Sequence, residues 1–142
     1  MVDEDRETEL TAAEVRCRGL DHIAIRVSSL ARSLPYYSAL LPLLGFAREG
    51  ATAWRNRDGL LLHFSEADEG ARPYDRFGAG MNHLGFSVPG AASVARVRES
   101  MAAAGFAVPE VQAMAGATAL FMKDPDGIRF EVSCEPGGEG RR

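Results

Sequence analysis

"LDHIAIRV" at residues 20–27 and "MNHLGFSV" at residues 81–88 share one pattern. Each stretch has a short polar residue, then a histidine, then an alternating apolar run that ends in valine. Alternation with a period of two is typical of a β-strand. The histidines of these stretches, His22 and His83, are 61 residues apart in a chain that has only three histidines. The repetition predicts a duplicated fold in which both histidines occupy equivalent positions.

A helix and three further strands are expected after the first of these stretches. Ser29 can cap the helix, and apolar residues at helical spacing continue as far as Leu41. Pro35 should kink this helix or delay its start, and Pro42 should end it. The segments "GFAREG", "TAWRN" and "GLLLHFSE" then read as three strands.

The second module repeats this plan. Its helix is expected from Ala91 to Ala104, with Gly105 as its C-terminal stop. The segments "GFAVPE", "ATALFMK" and "IRFEVS" read as the three strands that follow, with the turn "DPDG" before the last. Each module is therefore predicted to be a βαβββ unit.

The pattern divides the chain as follows. We expect a polar N-terminal arm, a single domain made of module 1, a linker and module 2, and a flexible tail. These are, respectively, residues 1–19, 20–134 (with module 1 at 20–66, the linker at 67–80 and module 2 at 81–134) and 135–142.

Composition limits the classes of partner. The chain has 142 residues, 46% of them hydrophobic, and a formal net charge of -4, which disfavours binding to nucleic acid. No apolar run approaches the ~20 residues of a membrane span. The acidic start argues against a targeting peptide. Two widely spaced cysteines, Cys17 and Cys134, fit reduced thiols in a cytoplasmic protein.

Strand alternation indicates where the histidines lie. When the last strands of the two modules are aligned on their Asp-Gly turns, "DGLLLHF" lies over "DGIRFEV", so that His63 aligns with Glu131. On these strands one face is apolar, and the other carries small or polar residues together with the histidines. A face of this kind lines a hollow, which is the usual form of a small-molecule site.

Three imidazoles and one carboxylate on one wall are suited to a divalent metal ion such as Zn, Ni, Co, Fe or Mn. The predicted ligands are His22, His63, His83 and Glu131. For His63, a hydrogen-bonding role in the cavity is the alternative.

Two arginines, Arg26 and Arg129, share the face of the predicted ligands. They are candidates for holding an anionic group of the substrate, and the alternative is that they are solvated strand ends.

The segments "DHIAIRV", "YYSALLPLLGF", "NHLGFSV" and "FMKDPDGIRFEVS" resemble the vicinal oxygen chelate superfamily. That group includes glyoxalase I, methylmalonyl-CoA epimerase, extradiol dioxygenases, and fosfomycin and bleomycin resistance proteins. The resemblance implies an α+β fold of two βαβββ modules, whose curved mixed sheets form an open cup around one metal ion, with the helices on the outer faces. It implies the same four ligand positions and a homodimer.

One position departs from glyoxalase I. The slot of His63 is a glutamate there, so this chain offers only one carboxylate to the metal, and proton transfer between two metal-bound carboxylates is in doubt. Arg26 resembles an arginine that holds the glutathione part of the substrate.

Three functions follow from these residues. The first is a metal-dependent lyase or isomerase in which the metal acts as a Lewis acid on a small carbonyl- or enediolate-type substrate, while Glu131 or His63 transfers the proton. The second is a non-haem iron dioxygenase of the extradiol type that uses His22, His83 and Glu131. The third is a metal-free protein that binds a drug and so confers resistance.

Overall fold

The computed structural model describes residues 15–136. Most of the predicted arm, residues 1–14, and most of the predicted tail, residues 137–142, lie outside the described residues. The elements follow in the order β1 (His22–Val27), α1 (Leu30–Leu43), β2 (Phe46–Arg48), β3 (Ala53–Asn56), β4 (Leu61–Glu66), β5 (Leu84–Ser87), α2 (Ala91–Ala103), β6 (Gln112–Met114), β7 (Ala117–Lys123) and β8 (Arg129–Cys134).

The strands form two four-stranded sheets of the same topology. Sheet 1 has the order β1-β4-β3-β2, and sheet 2 has the order β5-β8-β7-β6. In each sheet the first strand of the module runs parallel to its last strand, and the other pairs are antiparallel. The predicted α+β fold with two βαβββ modules and mixed sheets is thus confirmed.

Helix α1 begins as predicted, because the Ser29 side chain accepts a hydrogen bond from the backbone N–H of Arg32 at 3.3 Å. Of the two effects expected of Pro35, a kink or a delayed start, the delayed start does not occur, since the helix begins at Leu30 and contains Pro35. Tertiary packing accounts for the difference: the face that contains Tyr37 and Leu41 is fully buried, which offsets the hydrogen bond that proline cannot donate. The helix ends one residue after Pro42.

Helix α2 also lies where it was predicted, with Val94, Val97 and Met101 buried. The strand predicted at "GFAVPE" was wrong, because β6 lies further along the chain, at Gln112–Met114. The earlier segment contains Pro109, which has no N–H to donate to a sheet.

One hydrophobic core joins the two modules. The apolar faces of both sheets pack with α1 and α2 into a single cluster of buried residues. Tyr37 of α1 lies at its centre, with its ring 4.0 Å from that of Phe64 in sheet 1 and 5.6 Å from that of Phe130 in sheet 2, measured between centroids. Both helices therefore cover apolar sheet faces, as predicted, and the polar face of each sheet looks away from the shared core.

The "DPDG" turn links module 2 to module 1. Asp124 accepts a hydrogen bond from the Tyr37 hydroxyl at 2.5 Å and two more from backbone N–H groups of its own turn. Asp126 accepts hydrogen bonds from both the backbone N–H and the hydroxyl of Ser28. Burial raises the pKa of Asp124, and these hydrogen bonds offset only part of that rise. The turn thus joins the two modules through polar contacts at the edge of the core.

Within residues 15–136, no helix is long and apolar enough to cross a membrane.

Candidate metal centre

Sheet 2 brings two of the predicted ligands into contact. The Nε2 atom of His83, immediately before β5, lies 3.1 Å from an Oε atom of Glu131 in β8. Both side chains are partly exposed, with 39% and 23% of their respective surfaces accessible. We call His83 and Glu131 the sheet 2 pair.

Sheet 1 brings the other two predicted ligands together. The rings of His22 in β1 and His63 in β4 lie with centroids 6.0 Å apart and planes inclined by 35°. The His22 side chain is 57% exposed. We call His22 and His63 the sheet 1 pair.

The strand register shows that the two pairs are equivalent. In sheet 1, His63 is paired with Ala24, two residues after His22. In sheet 2, Glu131 is paired with Gly85, two residues after His83. The alignment of His63 with Glu131, which the sequence predicted from two Asp-Gly turns, is therefore present in the fold.

The residue before each repeated histidine orients its ring. Nδ1 of His22 lies 2.7 Å from a carboxylate oxygen of Asp21, and Nδ1 of His83 lies 2.7 Å from the side-chain oxygen of Asn82. When Nδ1 donates a hydrogen bond to this oxygen, the proton of a neutral ring is on Nδ1, and Nε2 is then available as a ligand. Metal-binding histidines are commonly held in this way. The polar residue that opens both copies of the repeat thus has a role that was not predicted.

The chemistry and spacing of these groups fit a divalent metal ion. Two ligands that bind one ion at about 2.0–2.2 Å lie roughly 2.8–3.6 Å from one another, the short end for octahedral and the long end for tetrahedral angles. The 3.1 Å between His83 and Glu131 is within that range. Imidazole nitrogen and carboxylate oxygen are ordinary ligands of Zn, Ni, Co, Fe and Mn.

One chain nevertheless keeps the two pairs apart. In the part of the chain that the structure describes, no group of three or more His, Cys, Asp or Glu side chains is placed to hold a metal ion. The cause is the shared core, which turns the polar faces of the two sheets away from each other. The convergence of all four predicted ligands on one metal ion therefore stays a prediction. Because the two polar faces of one chain point apart, such convergence requires a polar sheet face from a second molecule.

The two predicted substrate-binding arginines differ in their surroundings. Arg26 donates to the backbone oxygen of Glu66 at 2.7 Å and reaches the Asp68 carboxylate at 3.5 Å. Arg129 lies with its guanidinium carbon 5.8 Å from the centre of the Phe121 ring, and its buried Nε has no hydrogen-bond partner among the described residues.

Phe121 is a further residue of this site that sequence reasoning missed. Its ring lies 6.4 Å from that of His83, and it is the cross-strand partner of Glu131. The alternation of β7 was a signal for it, because Phe121 is the large apolar residue on the polar face of that strand.

Comparison with known proteins shows the fold and the family of this chain. In the solved structures, the chain is similar to a glyoxylase/bleomycin resistance protein/dioxygenase domain from Frankia sp. EAN1pec, with 25% identity over 87% of this chain and 96% of that one and a TM-score of 0.71. The fold is also similar to that of the fosfomycin resistance protein FosX from Listeria monocytogenes, at 18% identity over 87% of this chain and 98% of that one, with a TM-score of 0.64.

A lactoylglutathione lyase from Agrobacterium tumefaciens has the same fold at 19% identity, over 84% of this chain and 95% of that one, with a TM-score of 0.58. No match was found among proteins with curated descriptions. Residues 19–132 match the family described as the Glyoxalase/Bleomycin resistance protein/Dioxygenase superfamily. With its two equivalent βαβββ modules and a match that spans most of its length, this chain belongs to that superfamily.

Proposed function

We propose that this protein is a divalent-metal-dependent enzyme of the glyoxalase-like group, with lyase or isomerase chemistry on a small carbonyl- or enediolate-type substrate. The observation that carries the proposal is the equivalence of the two pairs. Both place ligand-type side chains at the same register of a polar sheet face, and in both the leading histidine has its Nδ1 held by the preceding residue.

We propose further that two copies of the chain complete each metal site. The sheet 1 pair of one copy would face the sheet 2 pair of the other, because the polar faces of the two sheets in one chain point away from each other. A symmetric dimer has two such faces of each kind and so contains two sites. The predicted homodimer is then required for metal binding.

In this site His22, His63, His83 and Glu131 would hold the metal ion, which supplies Lewis-acid chemistry to a substrate oxygen when bound. Glu131 is the proposed base, since its carboxylate is the only one among these groups, and His63 is the alternative proton carrier. Arg26 and Arg129 would orient an anionic part of the substrate.

Two complementary variants test the shared site. One carries His22→Ala and His63→Ala, and the other carries His83→Ala and Glu131→Ala. Each alone should bind less than a tenth of an equivalent of metal, since half of every site is lost. A mixed dimer regains one intact site, so that unfolding and refolding an equal mixture should restore about a quarter of the native metal content. Elemental analysis after gel filtration measures this.

The matched control is a mixture in which both chains carry the same double substitution, and it should stay metal-free. Failure of the unlike mixture to regain metal, although both variants are folded dimers, would contradict the shared site.

The reaction class is tested on the metal-loaded protein. Isomerisation of 2-oxoaldehyde–thiol adducts or proton exchange next to a carbonyl is the expected activity, and it should be lost in Glu131→Gln. Oxygen consumption with catechols by the iron-loaded protein would instead assign the extradiol type of chemistry to the same residues. A protein that takes up none of Ni, Zn, Co, Fe and Mn would refute the proposal.

A further inference from the structure

A pair of cations lies on the polar face of sheet 2, beside the sheet 2 pair. Lys123 of β7 and Arg129 of β8 are direct cross-strand partners. Side chains opposite one another in this way share one face of the sheet, and like charges at such positions are unfavourable. Two residues away along the same two strands, and on the same face, lie Phe121 and Glu131, which are also partners.

Neither cation is paired with an acid of the described chain. In residues 15–136 no carboxylate is within ion-pairing distance of Lys123 or Arg129. The two acids of the neighbouring turn do not serve, because Asp124 accepts hydrogen bonds from Tyr37 and Asp126 accepts them from Ser28. Within residues 15–136, the positive charge of Lys123 and Arg129 is thus not balanced by a carboxylate.

The equivalent place in sheet 1 is neutral. Arg55 is paired with Leu61 there, as Lys123 is paired with Arg129 in sheet 2. Only one of these two sheet 1 residues is charged, and its Nε donates to the carboxylate of Glu49 at 2.8 Å. The same backbone position therefore tolerates a neutral arrangement, and the bare cation pair belongs to sheet 2 alone.

Arg129 also has an unsatisfied donor. Its Nε is buried without a hydrogen-bond partner among the described residues, although its guanidinium lies over the Phe121 ring. Buried donors are nearly always paired. A small turn of this side chain toward an anion at the sheet surface would give the donor an acceptor.

From these observations we infer that Lys123 and Arg129 form an oxyanion-binding pair that selects the substrate of this face. The substrate is a small organic anion whose carboxylate, phosphate or phosphonate lies between the two cations and whose flat or apolar part lies against Phe121. Its reacting oxygen then reaches the side of His83 and Glu131. The inference rests on the proposed function, since it takes this face as the substrate side of the site.

The chain offers a single-residue probe for this pair, because Lys123 is its only lysine. Reductive methylation with ¹³C-formaldehyde labels this amine and the N-terminus and keeps both charges. Inorganic phosphate and, separately, acetate are titrated into the metal-free protein while the two methyl signals are followed by NMR. A Lys123→Arg variant identifies which signal belongs to the lysine.

The expected result is a saturable shift of the Lys123 signal. The dissociation constants of phosphate and acetate, compared, show which oxyanion the pair prefers. Arg129→Met should weaken this binding about tenfold, as expected when a hydrogen bond to a charged group is lost. Lys123→Met, followed by calorimetry at low salt, should do the same. Arg55→Met removes an equal charge from the equivalent place in sheet 1 and should change the affinity by less than about twofold.

Three results would overturn the inference. The first is an equal loss of affinity in Arg55→Met and Arg129→Met, which would indicate general charge attraction. The second is the absence of any saturable shift with either anion. The third is a weaker dimer with unchanged anion affinity in Lys123→Met, which would show that the cations pair with a second copy. His83→Ala separates this inference from the proposed function, because it should abolish metal uptake and leave anion binding intact.

Discussion

The two sheets have one backbone plan and different side chains on it. His63 of sheet 1 is equivalent to Glu131 of sheet 2. Arg55 of sheet 1, which is paired with Glu49, is equivalent to Lys123 of sheet 2, which has no ion-pair partner among the described residues. The difference shows that the duplicated framework decides where a group stands, while single substitutions decide what it does. Sheet 1 supplies two imidazoles, and sheet 2 supplies one imidazole, the carboxylate and the pair of cations.

The largest expected effect tests whether the two sheets are one folding unit. Phe64 of sheet 1 and Phe130 of sheet 2 are both buried and both contact Tyr37. Phe64→Ala and Phe130→Ala should each lower the free energy of unfolding by about 3–5 kcal/mol. Urea unfolding followed by circular dichroism measures this loss.

The single tryptophan, Trp54, lies in sheet 1, and its fluorescence follows the unfolding of that sheet. Because the core is shared, its fluorescence transition should move as far in Phe130→Ala as in Phe64→Ala. A fluorescence transition that Phe130→Ala leaves in place would show that the sheets unfold separately.

The next largest effect comes from a substitution that makes the sheet 1 pair identical to the sheet 2 pair and so tests whether His63 binds the metal. His63→Glu gives sheet 1 the same histidine and glutamate as sheet 2. Since carboxylate oxygen replaces imidazole nitrogen as a ligand, we expect metal affinity to change by no more than about tenfold. The visible spectrum of the Co(II)-loaded protein should change, because the ligand set changes. An identical spectrum in the variant would mean that His63 does not bind the metal, and Ser65→Ala on the same strand face is the control.

The "DPDG" turn predicts a smaller, pH-dependent effect. Because the pKa of Asp124 is raised by burial, the folded state holds this proton at pH values where the unfolded chain has released it. The contribution of Asp124 to the free energy of unfolding is thus fully present below the usual aspartate pKa. It is lost as the pH rises through the higher pKa that Asp124 has in the folded state. Asp124→Asn removes the loss, and chemical unfolding from about pH 4 to about pH 7 measures it.

The quantity to compare is the difference in unfolding free energy between the native protein and Asp124→Asn. As the pH rises, the unfolding free energy of the native protein should fall relative to that of Asp124→Asn. A difference that stays constant, or moves in the native protein's favour, would be inconsistent with a raised pKa.

The smallest effect concerns Ala24 and Gly85, the cross-strand partners of His63 and Glu131. Gly85 occupies in sheet 2 the place of Ala24 in sheet 1, and a methyl group added there would lie 3.9 Å from a Glu131 oxygen, an ordinary contact. Gly85→Ala should therefore change stability by less than about 0.5 kcal/mol. The reverse change, Ala24→Gly, should cost about 0.5–1 kcal/mol. Thermal unfolding compares the two, and a large loss in Gly85→Ala would show that this place is not equivalent to Ala24.

Local pattern predicted much of this molecule. The N-cap at Ser29, the extent of α2 and the alignment of His63 with Glu131 follow from spacing alone, because side-chain direction in a strand or helix repeats with a short period. The error at "GFAVPE" has a physical cause as well. Strand pairing depends on a neighbouring strand, and Pro109 together with the packing of Phe106 against Tyr36, with ring centroids 5.1 Å apart, favours an unpaired path there.

The sequence by itself determined the order of the elements, the polar face of each strand and the four ligand-type side chains on those faces. Only the tertiary structure decided that the apolar faces of both sheets share one core around Tyr37, and hence that the polar faces of one chain point apart. It also decided that Asp124 and Asp126 hold the modules together. Periodicity is a property of neighbouring residues. Burial depends on which distant surface excludes water from an apolar face, and the sequence pattern of neither module specifies that surface.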